Sequence, residues 1–133
     1  MINTKELTIG CYVKVNGKPY KVDEIFNNAV GLEKCDTLFI SSDLEPIPIT
    51  KELLLKNGFV EDIDEDVYFI SRIIGKYKVM FMWLVDKESD IYLHLMSENN
   101  KCIDACCHHI QYVHQAQTFC NVLGIELEFE TWK

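Results

Sequence analysis

Arginine is almost missing from this chain. Arg72 stands alone beside twelve lysines, and these 13 cations face 21 carboxylates for a formal charge of −8. The deficit is uneven. Residues 1–60 hold seven lysines against eight acids, while residues 61–133 hold six cations against thirteen acids. A nucleic-acid binder displaces phosphate counterions with clustered Lys and Arg. No such cluster is present, so direct binding of DNA or RNA is not expected. The acidity suits a basic protein partner or mimicry of nucleic acid, besides conferring solubility.

Long apolar runs are lacking as well. The longest, Val79–Val85 (VMFMWLV), falls far short of the roughly 20 residues a spanning helix needs. The opening MINTKELTIG has neither the basic nor the apolar region of a signal peptide. The expectation is a cytosolic protein without membrane association. In a reducing compartment the six cysteines read as free thiols rather than a disulfide framework. Cys106 and Cys107 are adjacent, an awkward geometry for a mutual bridge. The chain also has no Gly-rich phosphate loop, no G-x-S-x-G and no H-E-x-x-H. Enzymatic activity is therefore not expected, and no cofactor is implied.

What is present describes a folded α+β chain. Its 133 residues are 48% apolar and 11% aromatic, enough for one domain or two small units sharing a core. The first fifty residues read as short strands. In LTIGCYVKV, Leu7, Ile9, Cys11, Val13 and Val15 alternate onto one face, and Asn16-Gly17 follows as a hairpin signal. YKVDEIF, AVGLEK and TLFIS continue the series. SSDLEPIPI then reads as one helical turn and an extended segment, because Pro46 and Pro48 forbid a regular helix. Five short strands with tight turns predict a small SH3-like barrel over residues 1–49.

The second predicted subdomain covers residues 50–133. It begins with a linker helix at 50–58, in which Thr50 is the N-cap, Asn57-Gly58 the stop, and Phe59 folds back. EDIDED (61–66) places Asp62, Asp64 and Asp66 at the spacing that opens a calcium loop. Val67 and Ile73 occupy the positions that need glycine and glutamate, so a solvated charged loop is the expectation. Strands over about 67–106 follow. The middle one carries apolar residues on both faces, Val79, Phe81, Trp83 and Val85 against Met80, Met82 and Leu84. That pattern predicts a central strand covered on both sides, although a Met-rich strand also suits a pliable groove. A helix over about 108–123 and a terminal strand at 125–130 complete the plan, in which the long helix packs on an antiparallel sheet.

Cys102–Cys120 (CIDACCHHIQYVHQAQTFC) holds four of the six cysteines and three of the four histidines. Around a helical wheel Ile110, Val113, Ala116, Cys120 and Leu123 share one arc with His109, while Gln111, His114, Thr118 and Asn121 fall on the opposite flank. Where the helix begins stays open. If it starts at Cys102, then Cys102, Cys106 and His109 share a face as a possible three-ligand metal set. If 102–106 is a strand, its two cysteines stand about 13 Å apart. Neither geometry closes a tetrahedral site, and buried free thiols are the expected account, with no metal. A catalytic Cys–His pair would need its base from elsewhere in space, since Cys106, Cys107, His108 and His109 are sequence neighbours.

IQYVHQAQTFCNVLGIELEF (110–129) is similar to a recurrent signature, roughly I-x-Y-V-H-Q-L-Q-x-hydrophobic followed by L-x-G-x-E. With LTIGCYVKVNGKPYKV and LEPIPITKELLLKNGF it resembles a family of short uncharacterised proteins from gut anaerobes and their phages and mobile elements. The resemblance brings no activity with it. It covers most of the chain, matches at Tyr112, Val113, His114, Gln115 and Gln117, and departs at Ala116 and Thr118. The matched polar residues have two readings. Tyr112, His114, Gln115 and Gln117 either hold the helix in place through satisfied polar contacts or present a binding surface. Gln117 lies near the apolar arc, so its amide must find partners. The expected function is a non-enzymatic protein–protein interaction module that contacts a host or phage protein. The alternative is an anti-defence protein that sequesters a small signalling nucleotide as an oligomer, for which one arginine is a poor phosphate-binding inventory.

Overall fold

Asn16 and Gly17 both adopt positive φ, 51° and 78°, and so close a two-residue hairpin between β1 (Tyr12–Val15) and β2 (Lys18–Ile25). These strands belong to a computed structural model that describes residues 1–84, 91–97 and 103–132. Within it the chain divides into two units. One is Met1–Pro48 with Tyr112–Thr118, and the other is Ile49–Gln111 with Phe119–Lys133. The observed division differs from the predicted 1–49 and 50–133 by assigning the start of the C-terminal helix to the first unit.

In the first unit β3 (Ala29–Leu32) and β4 (Leu38–Ile40) extend the hairpin into an antiparallel sheet of order β1-β2-β3-β4. A register shift between Val22 and Glu24 bends β2. After β4 a single 3₁₀ turn, Ser41–Asp43, sends the chain back to the free edge of β1. There Lys14 and Glu45 exchange backbone hydrogen bonds of 2.9 and 2.8 Å. The result is a curled four-stranded half-barrel, its fifth predicted strand reduced to this bridge. Ile2, Leu7, Cys11, Val13, Val22, Val30, Leu32 and Leu44 fill the core.

The opening strand is shorter than its alternation predicts. Thr4–Glu6 form a 3₁₀ turn, Ile9 is 65% exposed, and Gly10 at φ 97° turns the chain before β1 begins. Leu7, Cys11 and Val13 still reach the core, but around a bend rather than along one pleat.

The second unit opens with α1 (Lys51–Lys56). The Thr50 hydroxyl accepts from the Leu53 N–H at 3.1 Å, as its N-cap position predicts. Gly58 at φ 87° ends the helix, and Phe59 folds back to donate its N–H to the Leu54 carbonyl. Then come β5 (Val60–Asp64), β6 (Val67–Ile74), β7 (Tyr77–Leu84), β8 (Ile91–Ser97) and β9 (Ile103–Ile110), antiparallel in sequential order. One face carries the core: Ile70, Val79, Phe81, Trp83, Leu93 and Leu95 are buried, and the Phe59 ring meets Phe81 edge-on at 5.7 Å.

Three expectations in this half need correction. The acidic run is no loop. Glu61–Asp64 lie in strand β5, and Glu65 at φ 52° makes the turn into β6. An edge strand needs only one ladder partner, and carboxylates along it deter pairing with another chain. The helix is α2 (Val113–Val122), shorter than 108–123, because Ile103–Ile110 pairs with β8 as a strand. Residues 125–130 form no ladder among the described residues. Ile125, Leu127 and Phe129 are buried in alternation, as the pattern predicts, but the segment is an extended strap.

Asn57 fastens that strap. Its amide nitrogen donates to the carbonyls of Leu53 (2.8 Å) and Thr131 (2.7 Å), and its amide oxygen accepts from the N–H groups of Glu130 (2.7 Å) and Thr131 (2.9 Å). Arg72, the sole arginine, donates to the Asn57 carbonyl at 3.0 Å and so caps the helix end. Among the described residues no helix is long and apolar enough to cross a membrane.

Candidate functional site

The polar residues of the Y-V-H-Q-A-Q stretch lie at the start of α2. Gln115 reaches back with its side-chain oxygen to accept the Tyr112 N–H at 3.1 Å, the return half of a capping box. Tyr112 bridges antiparallel to Pro48, and the Val113 N–H donates to the Ile47 carbonyl at 2.8 Å. Gln117, 2% exposed, accepts the Tyr12 N–H at 2.9 Å and donates to the Gly10 carbonyl at 3.2 Å. Both ends of its amide thus serve backbone groups at the entry to β1. Thr118 donates to the Glu6 carbonyl at 3.2 Å, and the Cys11 thiol lies 3.5 Å from the Thr118 hydroxyl. These contacts hold the first turns of α2 against residues 6–12.

His114 is not on an open flank. It is 1% exposed, its ring stacks on Tyr112 at 5.9 Å between centroids, and neither ring nitrogen has a hydrogen-bond partner among the described residues. The segment from Glu6 to Tyr12 covers the side of α2 that the helical wheel left to solvent. Glu6 Oε2 stands 3.6 Å from His114 Nε2, too far for a hydrogen bond but within ion-pair range. Burial lowers the imidazole pKa below its ordinary value, and the Glu6 carboxylate offsets part of that shift.

The sign of this shift fixes a pH dependence. Below about pH 6.5 the unfolded chain protonates this histidine while the folded chain resists, so folding stability declines as pH falls. The decline continues until the folded-state pKa is reached, at a slope of at most about 1.4 kcal/mol per pH unit from this one group. Urea midpoints from about pH 7 to about pH 5 should fall for the native chain and fall less for His114→Phe. Parallel profiles would show that His114 does not carry the dependence.

The metal set Cys102, Cys106 and His109 does not assemble on a helix, because Ile103–Ile110 is a strand; Cys102 itself lies outside the described residues. Cys106 and His109 are exposed on β9, with His109 at φ 59° where the strand ends. No group of three His, Cys, Asp or Glu side chains is placed to hold an ion among the described residues. Cys120 is buried and its thiol is pushed up to about 12 by loss of solvent, so it packs as a small apolar residue.

A different surface stands out in the second unit. Strand register puts Asp62, Phe69, Met82 and Tyr92 in one row across the sheet, and Val60, Ser71, Met80, His94 and Cys106 in the next. This face lies opposite the core. Phe69, Met80, Met82, Tyr92 and Met96 are only half-buried, while Val60 and Ile73 are 69% and 74% exposed. The expectation that β7 is covered on both sides is therefore corrected: its methionine face is only half-buried among the described residues. The signal was in the neighbours. Ser71 and Lys78 alternate with apolar residues on that same face, and lysine is rarely part of a fully covered layer. Comparison of the chain with family models, with curated proteins and with solved structures yields no match.

Proposed function

We propose that this chain is a non-enzymatic protein-interaction module of the phage or mobile-element type, and that the outer face of its five-stranded sheet is the contact surface. The observation that carries the reading is the set of half-buried apolar side chains at Phe69, Met80, Met82, Tyr92 and Met96 on a face with no second layer among the described residues. Adjoining apolar side chains left partly accessible in this way suit a protein contact, and methionine adapts to varied partner shapes. The burial of His114 and Gln117, with both ends of the Gln117 amide occupied, supports assigning Tyr112, His114, Gln115 and Gln117 to the fold rather than to a partner.

A photo-crosslinking side chain placed at Met80, and separately at Val122 on α2, tests this in cells that encode the chain. Both sites tolerate the change, since Met80 is half-buried and Val122 is 80% exposed. A discrete crosslinked protein from Met80 but not from Val122 is the expected outcome. No product from Met80, or the same products from both, would count against the proposed face.

A further inference from the structure

The charge on the open face selects among its occupants. A shallow groove of about 560 Å³ runs beside the edge strand β5, lined by Val60, Asp62, Asp64, Phe69, Ser71 and Met80. Its lining is more polar than apolar: Asp62 and Asp64 form one wall, and Val60, Phe69 and Met80 supply the apolar contacts. Asp62 and Asp64 sit two residues apart on β5 and point to the same face, in register with Phe69 and Val67. Lys51 meets Glu61 of the acidic run at 4.0 Å, and Glu61 is on the core-facing side, in register with Ile70. No basic side chain stands within ion-pair distance of Asp62 or Asp64 among the described residues. Lys78 lines the far end of the groove, opposite Ile73 and Met96.

From this we infer that the face takes a basic amphipathic helix of a partner protein, with its apolar stripe on Phe69, Met80 and Met82 and its lysines or arginines against Asp62 and Asp64. The inference rests on the reading of this face as a contact surface and adds the chemistry of what binds there. Long cationic side chains match such a mixed groove because their aliphatic stems can lie on Phe69 and Met80 while their heads reach the carboxylates. An amphipathic helix suits the methionines on this face, whose flexible side chains adapt to an apolar stripe. A second copy of the chain fits less well. Each copy would bring Asp62 and Asp64 to the contact, so two such faces would meet with like charge.

Fluorescence anisotropy with three labelled peptides tests the inference. One is a Leu/Lys amphipathic helix, one its Leu/Glu counterpart, and one a scramble of the first with no apolar stripe. The Leu/Lys helix should bind the native chain and weaken roughly tenfold against the double variant Asp62→Asn, Asp64→Asn, with a shallower salt dependence. Met80→Glu should abolish binding; both variants are compared after circular dichroism shows the native fold. Equal binding of the Leu/Glu helix, or no effect of the double variant, would overturn the charge inference and leave the contact surface standing. Equal binding of the scramble would reduce the effect to general ionic attraction and overturn it too. No binding by any peptide overturns the inference, and the Met80 crosslink then decides independently whether the face is a contact surface. A sedimenting dimer that Met80→Glu dissociates would replace the proposed partner with a second copy.

Discussion

Replacing Asn57 with alanine should lower the stability of the second unit by about 3 kcal/mol, equivalent to a fall of roughly 10 °C in Tm. The argument begins with what the substitution leaves alone. Asn57 sits at φ −105°, a conformation alanine adopts freely, so no backbone strain enters. What is lost is four hydrogen bonds between 2.7 and 2.9 Å, made by one side chain that is 8% exposed. Each such bond contributes about 1 kcal/mol net, and partners left without water cost more. Glu130 and Thr131 lie near solvent, which lets water take over part of their share and brings the figure below the sum of four full bonds. The consequence should be local. Residues 125–131 lose their anchor, so limited proteolysis should clip the C-terminal strap of Asn57→Ala before it cuts the native chain. Asn57→Asp keeps both acceptor bonds but turns the donor into an oxygen facing two carbonyls, and should be no better than alanine at neutral pH. A Tm within about 2 °C of native for the alanine variant would show that the strap is held by Ile125, Leu127 and Phe129 alone.

The sequence announces Asn57 only as a helix stop. Asn-Gly after KELLLK marks a C-terminus whatever the asparagine side chain touches, and the strap it binds lies more than seventy residues later. Local chemistry was legible: the Asn16-Gly17 hairpin, the Thr50 cap, the return of Phe59 and the single turn at Ser41–Asp43 all depend on neighbours in the chain. Non-local choices were not. Ile103–Ile110 fits either period, and pairing with β8 decided for the strand. Alternation in 125–130 records which side chains are buried, but a burial pattern does not require a ladder partner. The acidic run looked like a loop because charge opposes burial, yet an edge strand leaves Asp62 and Asp64 exposed anyway. His114 shows the same limit on a helix: the wheel assigns it to the polar flank, and only the approach of residues 6–12 buries it.

Gln117 offers the sharpest separation of a folding role from a binding one. Gln117→Leu keeps the volume and removes both polar ends, leaving the Tyr12 N–H and the Gly10 carbonyl without the partner each now has. Two partly buried backbone groups lose their bonds together, and the expected destabilisation of the first unit is about 2–3 kcal/mol. A binding residue would leave the urea midpoint unchanged, so a midpoint equal to native would return Gln117 to the candidate partner surface. Gln117→Glu gives the argument a second, signed readout. Ionised, the carboxylate still accepts from Tyr12 but faces the Gly10 carbonyl with no proton to give, in a site that is 2% exposed. Burial and that carbonyl both favour the protonated acid, so its folded pKa lies above the ordinary glutamate value. The glutamate penalty is therefore full at pH 7 and relieved as pH falls toward the ordinary carboxylate range, where the protonated acid donates to Gly10 as the amide did. Because His114 lowers the stability of both chains on the acid side, the quantity to follow is the difference between variant and native at each pH. That difference should narrow from about pH 7 to about pH 5, and a constant gap would mean that Glu at this position never loses its charge in the fold.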